Sequence, residues 1–355
     1  MSFKKNHSHS QNFFFTLIKI FLVVAFFSFV IHTTFTQKKG LKKYEDFALK
    51  IGTMVHLATI LPESARSQER SKLLFQMAYD EIDRLDQIFS RYRSDSEVAK
   101  INKSPNKPHK LSSELAYVFE KALSIHKESL QSFDITVLPL IKLWKMSEKA
   151  NTFPSQMQLQ ENLSLVGIKN ITYNQEKRTL RMKKGMQLDL GGIAKGYLIE
   201  RIRDIWKKNN LHNGMINIGG DVWALGLNER KQSWALGIQD PENEKNFLKI
   251  IKLSDQGMVT SGDYQRYFTI NSQKYSHIID PRNGLPIKGS RSLTLVGSDM
   301  LKIDAWATAC SILGPDQINS FLPRFCEASY TFLYENNANE LTLKSSNIKK
   351  AKSLL

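Results

Sequence analysis

Cysteine is nearly absent: Cys310 and Cys326 are the only two in 355 residues. That excludes a disulfide framework, and without a C-x-x-C pair it excludes a thiolate metal or redox centre. Two readings stay open, a single bridge in an oxidising compartment or two small buried side chains. Acid is scarce beside base, with 34 Asp and Glu against 50 Lys and Arg, a net charge of +16. The first 32 residues hold Lys4, Lys5 and Lys19 and no acid, so the remainder carries 16 − 3 = +13. Such an excess favours anionic partners such as nucleotides, phosphates, acidic proteins or anionic lipid. Nucleic acid is not among the expected partners, because there is no helix-turn-helix, zinc-finger or RNP-like pattern and the lysines are scattered. The chain also lacks a P-loop, a G-x-G-x-x-G fingerprint and an internal repeat. What it does have is 41% hydrophobic residues and 20 Phe, 11 Tyr and 5 Trp, enough to build a core and to exclude disorder.

One long apolar run stands at the N-terminus, Phe13 to Ile31, interrupted by Lys19. As a signal peptide its h-region is Ile20–Ile31; as an uncleaved anchor the whole stretch spans a bilayer with Lys19 snorkelling. No A-x-A site follows, which favours the anchor. Lys38, Lys39, Lys42 and Lys43 come next and blur the positive-inside signal. The expected organisation is an anchor or signal segment over 1–32, a basic linker over 33–48, a catalytic domain over 49–345 and a basic tail over 346–355.

Hydrophobic periodicity supplies the elements. Ile51–Leu61 alternates like a strand. Ser67–Phe89 has Leu73, Leu74, Met77, Ala78, Ile82, Leu85, Ile88 and Phe89 at helical spacing. Ser112 or Ser113 caps a second helix running to about Leu130. Phe133–Trp144, with Pro139, turns into a short helix. Ile171–Tyr173 and Thr179–Met182 flank a polar turn like a hairpin. A further helix follows Gly192. Short strands fill Met215 to Val296, a helix runs from about Leu301 to Leu313, and strands near Thr331–Tyr334 and Leu341–Leu343 close the sheet. Helices early and strands late predict an α+β fold with mixed or antiparallel sheets packed against helices.

Four segments place glycine and a charged group together at the end of an apolar run: Leu188–Gly196 (LDLGGIAKG), Asn217–Asp221 (NIGGD), Thr260–Tyr264 (TSGDY) and Tyr275–Pro286 (YSHIIDPRNGLP). Glycines let a ligand approach the backbone, and a helix N-terminus offers free N–H groups to an anion. Leu188–Gly196 is therefore a candidate phosphate site or simply a tight strand-to-helix turn. Asp304 and Thr308, four apart, share a helix face. Their hard oxygens suit Mg²⁺ completed by a backbone carbonyl and substrate phosphates, with a buried polar pair as the alternative. His126 and His212 have no partner pattern.

Taken together with Gly52-Thr53, the stretches Phe89–Ser96 (FSRYRSDS) and Phe133–Val137 (FDITV), and Asp304–Thr308, these segments make the sequence resemble the ApbE family from about Ile51 to Leu313. The resemblance implies an ApbE-like α+β fold, FAD as substrate, Mg²⁺ as cofactor, and transfer of FMN to a threonine or serine hydroxyl of an acceptor protein with release of AMP. It implies metal ligands at the carbonyl of Gly192 and the side chains of Asp304 and Thr308. It implies FAD contacts at Ile51, Tyr92, Ser132, Phe133, Asp134, Asp189, Lys195 and Ile278. His277 takes the place of the family's proposed catalytic histidine, with Asp280 as the second candidate for a general base. Ile51 stands where a methionine is usual, and Leu301 where some members have an acid. Expected partners are acceptor flavoprotein subunits of membrane redox pumps, and the expected location is the inner membrane with the catalytic domain on the periplasmic side. Two other activities use the same site: an FAD pyrophosphatase giving FMN and AMP, and a non-catalytic flavin binder.

Overall fold

The computed structural model describes residues 40–243, 245–262, 267–336, 338 and 340–346. The N-terminal apolar segment, Asp263 and Tyr264 lie outside these residues. Among the described residues no helix is long and apolar enough to cross a membrane.

The frame is an eight-stranded antiparallel sheet. Its order is β1 (Leu41–Lys50), β2 (Thr53–Pro62), β6 (Gly214–Ile218), β7 (Asp221–Leu225), β10 (Gln256–Gly262), β13 (Ser290–Gly297), β14 (Ala328–Glu335) and β15 (Leu341–Ser346). Alternation along the central strands divides two cores. Leu57, Ile216, Ile218 and Trp223 face the helices. Ala58, Met215, Val222 and Ala224 face the other way, onto a two-stranded cover of β8 (Trp234–Gln239) and β9 (Phe247–Leu253). Smaller sheets join β3 (His109–Lys110), β4 (Ile171–Asn174) and β5 (Thr179–Met182), and pair β11 (Tyr267–Ile270) with β12 (Gln273–Ser276). The α+β expectation holds, with every named strand pair antiparallel.

Two expectations need correction. Strand β1 starts at Leu41, inside the stretch assigned to a basic linker, and pairs with β2 along its whole length. Its Lys42, Lys43, Glu45 and Asp46 suit a sheet edge, where one face meets water and charge discourages further pairing. In helix α1 (Ala65–Phe89), Leu73 and Met77 are exposed. The buried stripe runs through Leu74, Phe75, Ala78, Ile82, Leu85 and Phe89, the set that keeps one face at 3.6 residues per turn. Ser64 caps this helix by accepting from the Ser67 N–H at 3.0 Å.

The remaining helices are α2 (Glu97–Lys103), α3 (Ser113–Glu128), α4 (Leu138–Ala150), α5 (Gln156–Leu163), α6 (Ala194–Lys208), α7 (Met300–Leu313) and α8 (Pro315–Phe325). Helix α7 is buried nearly all round and lies against α6 and the sheet. Glu200 of α6 accepts the N–H of Met300 at 3.0 Å and so caps α7 from outside. Burial and the charge of Asp299 push the Glu200 carboxyl up to about 7, against the pull of Arg203. An unfolded glutamate titrates near 4.5, so between 4.5 and about 7 the native state holds a proton that the unfolded chain has lost. Stability therefore falls as pH rises through that window. Glutamine can still accept from Met300 without the charge. Discounted for the group's partial contact with water, Glu200→Gln should raise stability at pH 8 by about 1–2 kcal/mol. The gain should vanish at pH 4, as read by urea unfolding at the two pH values; an equal gain at both would show that the charge is not involved.

Candidate active site

The centre of the site is the crossing of α6 and α7. A Cβ on Gly196 would overlap the carbonyl of Met300, so only glycine lets the two helices meet there. The contact is sealed by polarity. The Gly196 N–H, one of the free amides of the first turn of α6, donates to Asp304 Oδ2 at 2.8 Å. Asp304 is 4% exposed. Burial first, and the charge of Asp221 second, push its carboxyl above the ordinary carboxylate range; the Lys195 ammonium and nearby amides pull the other way. One turn along α7, Thr308 Oγ1 lies 3.1 Å from where a Cβ on Gly192 would stand, and the Phe133 ring lies 3.2 Å from the same point. Gly192, Asp304 and Thr308 thus lie together at the start of α6.

This set fits a hard divalent cation. It offers one buried carboxylate, one hydroxyl and a glycine whose missing side chain leaves a cradle. Among the described residues no three His, Cys, Asp or Glu groups gather into a metal cluster, here or elsewhere. A single protein carboxylate suits Mg²⁺, which keeps waters and substrate phosphates as its other ligands.

The flavin-site candidates surround this centre. Asp189 Oδ1 accepts from the Gly191 N–H at 2.9 Å, which shapes the glycine turn, and Oδ2 pairs with Arg91 Nε at 3.2 Å. The Arg91 guanidinium lies 4.5 Å from the centroid of the Tyr92 ring, which is exposed. Ser132 Oγ donates to the carbonyl of Ala309 at 3.2 Å and ties this loop to α7. The Asp134 side chain faces inward. It accepts from the Thr136 N–H at 2.7 Å and lies 3.2 Å from His126 Nδ1, so it braces the loop. His126 is a buried core residue and His212 is exposed. Ile51 and Gly52 form the two-residue turn between β1 and β2, at φ 48° and 73°. A β-branched residue in the left-handed region is strained, and this one sits on the rim of the sheet.

Residues Tyr275–Pro286 form a separate wall. Ile278 is buried, and its carbonyl accepts from the Ile287 N–H at 3.0 Å. Both carboxylate oxygens of Asp280 are taken by the Arg282 guanidinium, at 2.7–3.2 Å, and Oδ1 also accepts the Arg282 N–H. Trp144 Nε1 donates to the carbonyl of Gly284 at 2.8 Å and pins the loop to α4. Half-buried His277 joins β12 to this turn. A cavity of about 630 Å³ opens between this loop and α7, with Asp280 and Trp144 on one side and Ser311 and Ile312, one turn beyond Thr308, on the other.

Three charged side chains lie inside the quoted motifs without being singled out by them: Arg91, Arg282 and Asp221. Each is recognisable only through the acid or base it meets from another segment or across a tight turn. Asp221 is 1% exposed and lies 2.5 Å from Lys195 Nζ. Its motif, NIGGD, is the one signal along the chain that marks it. Cys310 and Cys326 are free and buried, which settles the alternatives for them.

A family model described as the ApbE family matches residues 51–331. The chain belongs to the ApbE family. Among curated relatives, the FAD:protein FMN transferase of Haemophilus influenzae is 30% identical over 271 residues, covering 74% of this chain and 78% of that one. The protein of the same name from Buchnera aphidicola is 28% identical and covers 93% of this chain and 95% of its own length. Among solved structures, the ApbE protein of Thermotoga maritima superposes with a TM-score of 0.76 at 28% identity, over 86% of this chain and 97% of that one. The flavin transferase ApbE of Vibrio cholerae gives the same TM-score at 23% identity, over 86% of this chain and 98% of its own, which supports the fold. By this membership the chain is an enzyme of the flavin transferase class.

The α6–α7 crossing makes a direct prediction. Gly196→Ala should destabilise the protein by about 3 kcal/mol or more, the upper end for overpacking, because a backbone carbonyl cannot step aside. Chemical unfolding measures this; a loss below about 0.5 kcal/mol would mean that the helices do not meet at Gly196.

Proposed function

We propose that this enzyme transfers the FMN moiety of FAD to a threonine or serine hydroxyl of an acceptor protein, in a Mg²⁺-dependent reaction that releases AMP. The observation that carries the reading is the convergence of Asp304, Thr308 and Gly192 at the N-terminus of α6, the end of a helix whose dipole favours an anion. Asp304, Thr308 and the Gly192 carbonyl would hold Mg²⁺, which when bound supplies neutralisation of pyrophosphate charge.

The chain's own residues supply position and proton transfer. Lys195, in the first turn of α6, serves the phosphates. Arg91, paired to Asp189 and lying over Tyr92, orients the exposed ring at the flavin end. The acceptor oxygen attacks the phosphorus on the FMN side, the bond to the AMP phosphate oxygen breaks, and AMP leaves with that oxygen. The hydroxyl proton needs an acceptor. Asp280 has both oxygens committed to Arg282, so His277 takes this role.

Incubation with FAD, Mg²⁺ and an acceptor domain tests the reading. Protein-bound flavin supports it; free FMN indicates a pyrophosphatase, and unchanged FAD a binder. His277→Gln should bind FAD nearly normally but transfer FMN at least ~10²-fold more slowly, the usual range for lost general-base help. Single-turnover transfer at the wild-type rate would remove His277 from the mechanism.

The N-terminal apolar segment and the class of acceptor favour, on this reading, a catalytic domain at the periplasmic face of the inner membrane. Alkaline phosphatase fused to the C-terminus should be active in cells. A stable but inactive fusion would put the site in the cytoplasm.

A further inference from the structure

Asp221 has no role in the reaction as described, yet it holds one of the groups that does. The Gly219-Gly220 turn, at φ 60° and 96°, reverses the chain between β6 and β7 and sets Asp221 on the helix face of the sheet. Its Oδ1 accepts the Thr260 N–H at 3.2 Å and its Oδ2 lies 2.5 Å from Lys195 Nζ. Lys195 immediately precedes Gly196, whose N–H holds Asp304. The Lys195 ammonium thus pairs with Asp221 of the sheet and lies near enough to Asp304 of α7 to act on its charge. Over these three groups, with both acids ionised, the charge is −1 − 1 + 1 = −1, and negative charge gathered away from water favours a further cation.

We propose that Lys195 is a built-in counter-cation for Asp221 and Asp304, competing with a divalent cation for them until the pyrophosphate of FAD draws its ammonium away. The inference rests on the flavin transferase reading and adds Asp221 to the site. The two acids cannot move: one is bonded to a strand amide and the other to a helix amide. Lys195 can, because its side chain is 31% exposed and has a flexible stem. With a divalent cation at Asp304 the local charge becomes −1 + 2 = +1, and the ammonium is then repelled from the acids and attracted to the phosphates. Cation and FAD must each strengthen the other's binding, since coupling between sites is reciprocal.

Mn²⁺ binding to the full-length chain, read from the electron paramagnetic resonance of free Mn²⁺, gives the test. Lys195→Met keeps the stem and removes the charge; Asp221→Asn keeps an acceptor for Thr260. Without FAD, Lys195→Met should bind Mn²⁺ roughly tenfold more tightly than wild type, and Asp221→Asn roughly tenfold more weakly, on the scale of a charged hydrogen bond. FAD should tighten Mn²⁺ binding in wild type and lose most of that effect in Lys195→Met. Unchanged or weaker Mn²⁺ binding in Lys195→Met overturns the proposal, and this arm decides alone if Asp221→Asn fails to fold. Wild type that binds no FAD would instead sink the flavin transferase reading, while the FAD-free Mn²⁺ comparison still judges the charge competition.

Discussion

Everything at the site depends on one hydrogen bond, from the backbone of Gly196 to the carboxylate of Asp304. It requires two helices to approach more closely than any side chain allows, and it buries an acid that burial disfavours. The surrounding structure offsets that cost. Glu200 caps α7, Asp299 accepts the Lys302 N–H at its first turn, and Ser132 ties the flavin loop to the same helix. A helix buried nearly all round carries the oxygens of Asp304 and Thr308, so they inherit the rigidity of the core.

Against this rigid centre stand groups held by loops and turns. The Arg91–Tyr92 pair, joined to the glycine turn through Asp189, and the Tyr275–Pro286 loop, across a cavity from α7, flank it, and each is braced by a local ion pair. The division suits phosphoryl transfer, where catalysis is mostly position and charge. On the proposed reaction the phosphates would meet the fixed part. The two ends of a long substrate and a protein acceptor would meet the part that can adjust.

Much of this architecture is legible in the amino-acid sequence. Strands β2, β6, β7 and β13 and helices α1, α3, α6 and α7 follow from runs of apolar residues, periodic in α1, α3 and α6 and nearly continuous in β7, β13 and α7. The Asp304–Thr308 pair follows from helical spacing. Strand β1 does not show, since its outer position lets it carry charge and blurs the alternation. Leu73 and Met77 mislead for the opposite reason: an apolar residue beside the buried stripe looks like part of it. Asp221 and Arg91 act through partners 26 and about a hundred residues away, counted from Lys195 to Asp221 and from Arg91 to Asp189, and spacing along a chain carries no record of such meetings. Asp280 shows the limit of residue type as evidence, because a carboxylate beside a histidine is here the anchor of a turn.

The most direct test of this account is a crystal structure of the complex with FAD and Mg²⁺. It should place one cation about 2.0–2.1 Å from Asp304, Thr308 and the carbonyl of Gly192, with the pyrophosphate over the first turn of α6. A cation bound elsewhere, with Asp304 still turned only to the Gly196 amide, would contradict it.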